Sequence, residues 1–261
     1  MRTPLLACSL LLLAAASALA SETHIRWNAC FGDGGALNRN FACDTNTGSE
    51  QLVCTFTLTE PIPEVWQMDA RVNMAFAGST LPAWWQFVTT GSCRAGSLSS
   101  RNVPPATAVA CVDWTDGTRD ALLSYHPILF GPNLTQVEVV SPIFPVAPYD
   151  LVAGQEYFAF TAQINHARTV GTTGACAGCS LGACMGFVGV NLIRTPPSAE
   201  MPVPPSGDVL IGPGSIMNQT VTWQGGGGIA IPNYFGTGST YCPGATPTRN
   251  HTWGDIKAIY R

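Results

Sequence analysis

Ten cysteines occur in 261 residues, and nine of them follow a segment that reads as an export leader. Arg2 precedes an apolar run from Leu5 to Leu19, and the run closes on Ala18-Leu19-Ala20. A charged start, a greasy centre and a small-x-small site are the form of a secretory signal peptide. Ser9 and Ser17 interrupt the run and no stop-transfer flank follows, so no transmembrane span is expected after cleavage. Cleavage after Ala20 delivers nine thiols to an oxidising compartment, where cysteines pair. The expectation is a secreted, cross-linked protein, at the cell surface or beyond it.

Composition narrows the fold. Charged residues make up 11% of the chain, well below the ~25% of ordinary soluble proteins. Gly (27) and Pro (20) are abundant, which favours short strands joined by tight loops over helices. Hydrophobic residues at 46% are enough for a core, so disorder is not expected. The formal net charge is −4 and Lys257 is the only lysine. Without a basic cluster, nucleic acid and anionic membrane surfaces are poor partner candidates, and no nucleic acid partner is expected.

Strand patterns recur along the chain. From Leu52 to Thr59, Leu52, Cys54, Phe56 and Leu58 share one face; from Val65 to Phe76, Met68, Ala70, Val72, Met74 and Phe76 do. Thr135 to Val140, Tyr157 to Ile164 and Gly186 to Ile193 also read as strands, with Gly- and Pro-rich punctuation between. With no helical crossovers the strands must be mainly antiparallel, which predicts an all-β antiparallel sandwich of jelly-roll or Ig-like type. Leu151-Val-Ala-Gly-Gln-Glu-Tyr157 has the form of a tyrosine corner, the phenol bonding back to upstream backbone. Five prolines in residues 196–207 mark a linker, so the sandwich spans 21–195. Residues 208–261 are too short and glycine-rich for a separate core and are expected to pack on the sandwich, held by Cys242.

The last ten residues, Thr252 to Arg261, are a capped amphipathic segment and predict a short C-terminal helix. Their pattern Thr-Trp-Gly-x-Ile-Lys-x-x-Tyr-Arg, with Cys176-Ala-Gly-Cys179 and Asn28-Ala-Cys-Phe-Gly-Asp-Gly-Gly35, resembles uncharacterised secreted proteins of environmental bacteria. The resemblance covers most of the mature chain and implies a shared fold and export, with no activity to carry over. Pro61-x-Pro-x-Val-x-x-Met-Asp-Ala-x-Val72 is more loosely similar to early strands of cohesin-like sandwich modules, a likeness of architecture alone.

Cys176-Ala-Gly-Cys179, with Cys184 five residues on, is the densest chemical cluster. A redox site needs a low-pKa thiolate, typically at a helix N-terminus in a βαβ setting, and glycines make this segment a loop. Zinc held by the three cysteines with His166 or Cys242 competes poorly with oxidation outside the cell. Structural disulfides are therefore expected among Cys30, Cys43, Cys93, Cys111, Cys176, Cys179, Cys184 and Cys242. Proximity pairs Cys30 with Cys43 and Cys93 with Cys111, each closure worth ~3 kcal/mol in the chain-entropy model. Cys54, alternating with Phe56 and Leu58, reads as a buried free thiol.

Two features suggest ligands. Asp44-Thr-Asn46-Thr-Gly-Ser-Glu50 alternates oxygen donors like the start of a calcium loop, and Asp33 could join it. The competing reading is a string of local turns, with no cofactor at all. In Leu81-Pro-Ala-Trp84-Trp85-Gln86-Phe87, a strand would turn one tryptophan outward beside Gln86, fit to stack on a sugar or a protein partner. The alternative is that both tryptophans are core. His24, His126, His166 and His251 are scattered and accompany no catalytic motif; His166 reads as a polar residue at a strand edge. Asn133, Asn218 and Asn250 open glycosylation sequons, relevant only in a eukaryotic secretory route.

These features together describe a secreted, non-catalytic binding module for carbohydrate or an extracellular protein. An extracellular hydrolase with dispersed carboxylates and a structural assembly subunit are the alternatives.

Overall fold

The structure, a computed structural model, describes residues 21–87, 91–115, 122–127, 134–142, 148–194, 209–211, 219–232 and 239–243. The leader, the linker, the three sequon asparagines and the expected C-terminal helix lie outside these residues.

The regular secondary structure of the described residues is nearly all strand, set among long turns and loops. In order the strands are β1 (Glu22–Trp27), β2 (Asn38–Arg39), β3 (Ser49–Thr57), β4 (Ile62–Val65), β5 (Gln67–Phe76), β6 (Leu98–Arg101), β7 (Cys111–Val112) and β8 (Leu122–Pro127). There follow β9 (Leu134–Pro142), β10 (Tyr149–Leu151), β11 (Glu156–Asn165), β12 (Ala183–Ile193), β13 (Val209–Ile211), β14 (Thr220–Trp223), β15 (Ala230–Pro232) and β16 (Ser239–Tyr241). One sheet runs β1-β3-β11-β6, with β7 also on β11; the other runs β2-β14-β12-β5-β9-β8, with β13 also on β12. The long pairs β3–β11, β5–β12 and β5–β9 are antiparallel, and the short β7 and β2 join in parallel. The two sheets form an antiparallel sandwich.

The described residues beyond 208 enter this sandwich. Thr220 to Trp223 pair with Gly186 to Ala183, and Val209 to Ile211 with Leu192 to Val190, so both add to β12. The long alternating stretch from Val65 is broken at Trp66, where β4 leaves to pair with β10 and β5 continues the main sheet.

Between the sheets the core holds Ile25, Leu52, Cys54, Phe56, Met68, Val72, Met74, Phe160, Phe187 and Leu192. The alternation in β3 predicts one wet face, yet Val53 and Thr55 are buried too. The reason is a second layer. Residues 28–36 fold back over the outer face of the first sheet, where Cys30, Cys111, Val53 and Phe158 make a small core. On the other sheet the β15–β16 hairpin does the same, packing Ile231 and Cys242 on Ala75, Cys184 and Val188.

Disulfides follow these layers. Cys30 bonds Cys111 and Cys184 bonds Cys242, one under each outer layer. Cys43 bonds Cys179 and Cys93 bonds Cys176. The expected pairs Cys30–Cys43 and Cys93–Cys111 are therefore wrong, because strand order brings together cysteines that are distant in the chain. Cys54 is free and fully buried, and burial pushes its thiol well up. The tyrosine corner is present: Val152 N donates to Tyr157 Oη at 2.7 Å, and Tyr157 donates to Val152 O at 3.2 Å.

Candidate functional site

Three long loops meet at one end of the sandwich. Trp27 pairs with Leu52, Asn165 with Ser49 and Ala183 with Phe76, so the strand ends there release residues 28–48, 77–97 and 166–182 together. Cys43–Cys179 and Cys93–Cys176 join parts of all three into a crown.

Tryptophans floor this crown. Ala83–Trp85 is a single 3-10 turn after Pro82, not a strand, and Trp84 and Trp85 are both fully buried. This overturns the outward tryptophan. Proline holds the preceding backbone extended and starts the turn, and both indoles fall onto Trp223, at 5.3 and 5.6 Å between centroids. Gln86 is half-buried and donates to Leu81 O at 3.1 Å. The Cys-Ala-Gly-Cys loop lies on the same floor: Trp84 N donates to Ala177 O and Trp223 Nε1 to Cys179 O. Gly178 has φ +107, and a Cβ there would stand 2.4 Å from Pro82 Cβ, so the approach admits only glycine.

A buried arginine completes the floor. Arg94 is 1% exposed, its guanidinium over Trp84 and Phe87, with Nη1 on Trp84 O and Nη2 on Asn165 O. Burial pulls it down to about 9. Nothing in the sequence distinguishes Arg94 from a surface arginine.

A charge lock closes the side of the crown. Glu50 is buried, ion-paired with Arg39 Nε at 2.6 Å, and accepts from Asn28 Nδ2 at 3.2 Å. His166 Nε2 lies 3.3 Å from the same carboxylate. Its Nδ1 is 2.8 Å from Thr47 O, and the ring stacks on Phe41 at 3.9 Å. His166 is thus a buried clasp between loops, not the polar edge residue expected.

The four candidate calcium ligands do not converge. Asp33 accepts from Val109 N and Ala110 N, pinning the outer layer. Asn46 accepts from Thr169 N and Val170 N and donates to Val170 O, clipping one crown loop to another. Glu50 is held in the lock, and Asp44 is exposed. Among the described residues no three His, Cys, Asp or Glu side chains form a group able to hold a metal ion.

A second carboxylate is also enclosed. Glu156 accepts from Phe31 N, Gly32 N and the Thr55 hydroxyl under the first outer layer, with Arg26 nearby. Phe31 in turn lies on the His24 ring at 4.2 Å and under the Arg26 guanidinium at 4.7 Å.

No helix among the described residues is long and apolar enough to cross a membrane. Comparison with family models, with curated proteins and with solved structures finds no match to this chain.

Proposed function

We propose that this is a secreted, non-catalytic binding module whose crown engages an uncharged polyhydroxyl ligand, a carbohydrate of the cell surface or extracellular matrix. The observation that carries this reading is the chemistry of the pre-organised crown. Its exposed residues include Asn38, Asn40, Thr47, Thr172, Thr173 and Ser180, which offer amides and hydroxyls. Glu50 is neutralised internally, Arg94 lies beneath the floor, and the exposed Asp44 and Arg168 of the loops balance in charge, so the crown offers no net charge to a ligand. Loops fixed by cross-links lose little entropy on binding, which favours recognition of a weakly interacting neutral ligand. The test is retention of the purified protein on neutral polysaccharides, with Asn40→Ala and Thr173→Ala as crown variants. Selective retention, weakened in both variants, supports the reading; no retention on any glycan overturns it.

One observation favours the competing hydrolase. Ser124 Oγ lies 2.9 Å from His126 Nε2 on β8. A serine and an imidazole so placed are the pair that acyl transfer requires. Labelling of Ser124 by a fluorophosphonate probe, lost in His126→Ala, would select that reading.

A further inference from the structure

We propose that Cys176 and Cys179 form a thiol–disulfide relay that opens both crown clamps for a single two-electron reduction. The two cysteines sit three residues apart on one loop, yet each is bonded to a different neighbour: Cys176 to Cys93, Cys179 to Cys43. Two intervening residues is the spacing at which cysteines close a disulfide on themselves. Cys176 and Cys179 are buried, while Cys43 and Cys93 are half-buried, so Cys43 and Cys93 are the more accessible members of the two clamps.

The exchange is balanced at each step. An external dithiol attacks Cys43 Sγ; a new sulfur–sulfur bond forms there, the Cys43–Cys179 bond breaks, and Cys179 leaves as a thiolate. Cys179 then attacks Cys176 Sγ, forming Cys176–Cys179 and expelling Cys93 as a thiolate. The second thiol of the reductant resolves the mixed disulfide at Cys43 and the reductant leaves oxidised. Two electrons and two protons have entered the protein, and two clamps have opened. Entry at Cys93 runs the same sequence in mirror image and ends in the same product.

The rest of the molecule is arranged to confine the exchange. Cys30–Cys111 and Cys184–Cys242 are buried under the outer layers, and Cys54 is fully buried in the core. The relay loop keeps its seat, because the hydrogen bonds from Trp84 N and Trp223 Nε1 go to backbone carbonyls and not to sulfur. Opening therefore removes the two covalent ties of the loop and leaves the hydrogen bonds of Asn46 to Thr169 and Val170 and of Arg168 to Cys93 O, the Glu50–His166 lock and the sandwich in place. The proposal does not depend on what the crown binds.

The experiment is exposure of the folded protein to one equivalent of dithiothreitol, acid quenching, alkylation and non-reducing peptide mapping. The expected result is equal alkylation of Cys43 and Cys93 with an internal Cys176–Cys179 bridge. Alkylation of Cys43 with Cys179, or of Cys93 with Cys176, while the other clamp stays intact, would overturn the relay. Cys43→Ser is a second test needing no reductant. It leaves Cys179 free beside Cys93–Cys176, and the purified variant should carry Cys176–Cys179 and a free Cys93. A retained Cys93–Cys176 bond in that variant refutes the proposal.

Discussion

Arg94 lies over Trp84, its guanidinium carbon 3.7 Å from the ring centroid, and donates to the carbonyl of the same tryptophan at 3.0 Å. One side chain thereby covers the crown floor and ties the 3-10 turn to the end of β11 through Asn165 O. Arg94→Ala removes packing from two rings and takes the guanidinium donor from one buried and one partly buried carbonyl. A loss of about 2–4 kcal/mol is expected. Arg94→Lys should fall between wild type and alanine, since an ammonium cannot match the planar fork. Urea denaturation of the three proteins gives the order; an alanine variant as stable as wild type would show that the contact carries no weight.

The tyrosine corner predicts a smaller effect. Tyr157→Phe keeps the ring between Phe56 and the core but deletes both hydrogen bonds to Val152. The cost should be about 1–2 kcal/mol, or a few degrees in Tm for a domain of this size. Differential scanning calorimetry checks it.

Acid sensitivity should come in part from His24. Burial lowers its imidazole to about 4; Glu22 opposes that shift and Arg26 adds to it. In the unfolded chain the ordinary value of 6.5 holds, so the unfolded state takes up the proton first. Its contribution to stability is complete above pH 6.5 and is lost as the pH falls toward 4, on the order of 1–3 kcal/mol. His24→Phe keeps the stack on Phe31 and should flatten the stability profile across that window. Chemical denaturation near pH 7 and near pH 4.5 measures the difference, and parallel profiles for variant and wild type would exclude His24.

The Glu50 lock should tolerate little. Glu50→Gln preserves shape but leaves Arg39 and His166 facing a neutral amide. A loss of about 2 kcal/mol is expected, with faster hydrogen exchange at Thr169 and Val170, whose amides rest on Asn46. Unchanged exchange there would place the lock outside the crown's stability.

Much of the strand framework is visible in residue order. Gly186 to Ile193 and Tyr157 to Ile164 are recognised because their apolar, β-branched and aromatic runs suit strands buried in a sheet. Cys54 is legible as a core thiol because it alternates with Phe56 and Leu58. The site is much less so. Trp84 and Trp85 look like a strand pair with opposite faces, but a local period says nothing about a proline-started turn or about Trp223, more than a hundred residues away. Glu50 reads as a calcium ligand and His166 as an edge residue or zinc ligand, and only the return of β11 beside β3 brings the imidazole to the Glu50 carboxylate.

Local sequence determined what many segments become: strand, corner, buried thiol. Those outcomes depend on short-range sterics, side-chain alternation and the polarity of a few neighbours. Which cysteines join, which faces stay wet and which charges meet were decided by tertiary structure alone. Near-neighbour cysteines close the cheapest loops in an unfolded chain, yet the pairing of β7 with β11, in the sheet that carries β1, places Cys111 beside Cys30, and the loop crown places Cys43 beside Cys179. Val53 and Thr55 are dry for the same reason, because a strap and a disulfide from elsewhere in the chain cover a face that alternation alone assigns to water.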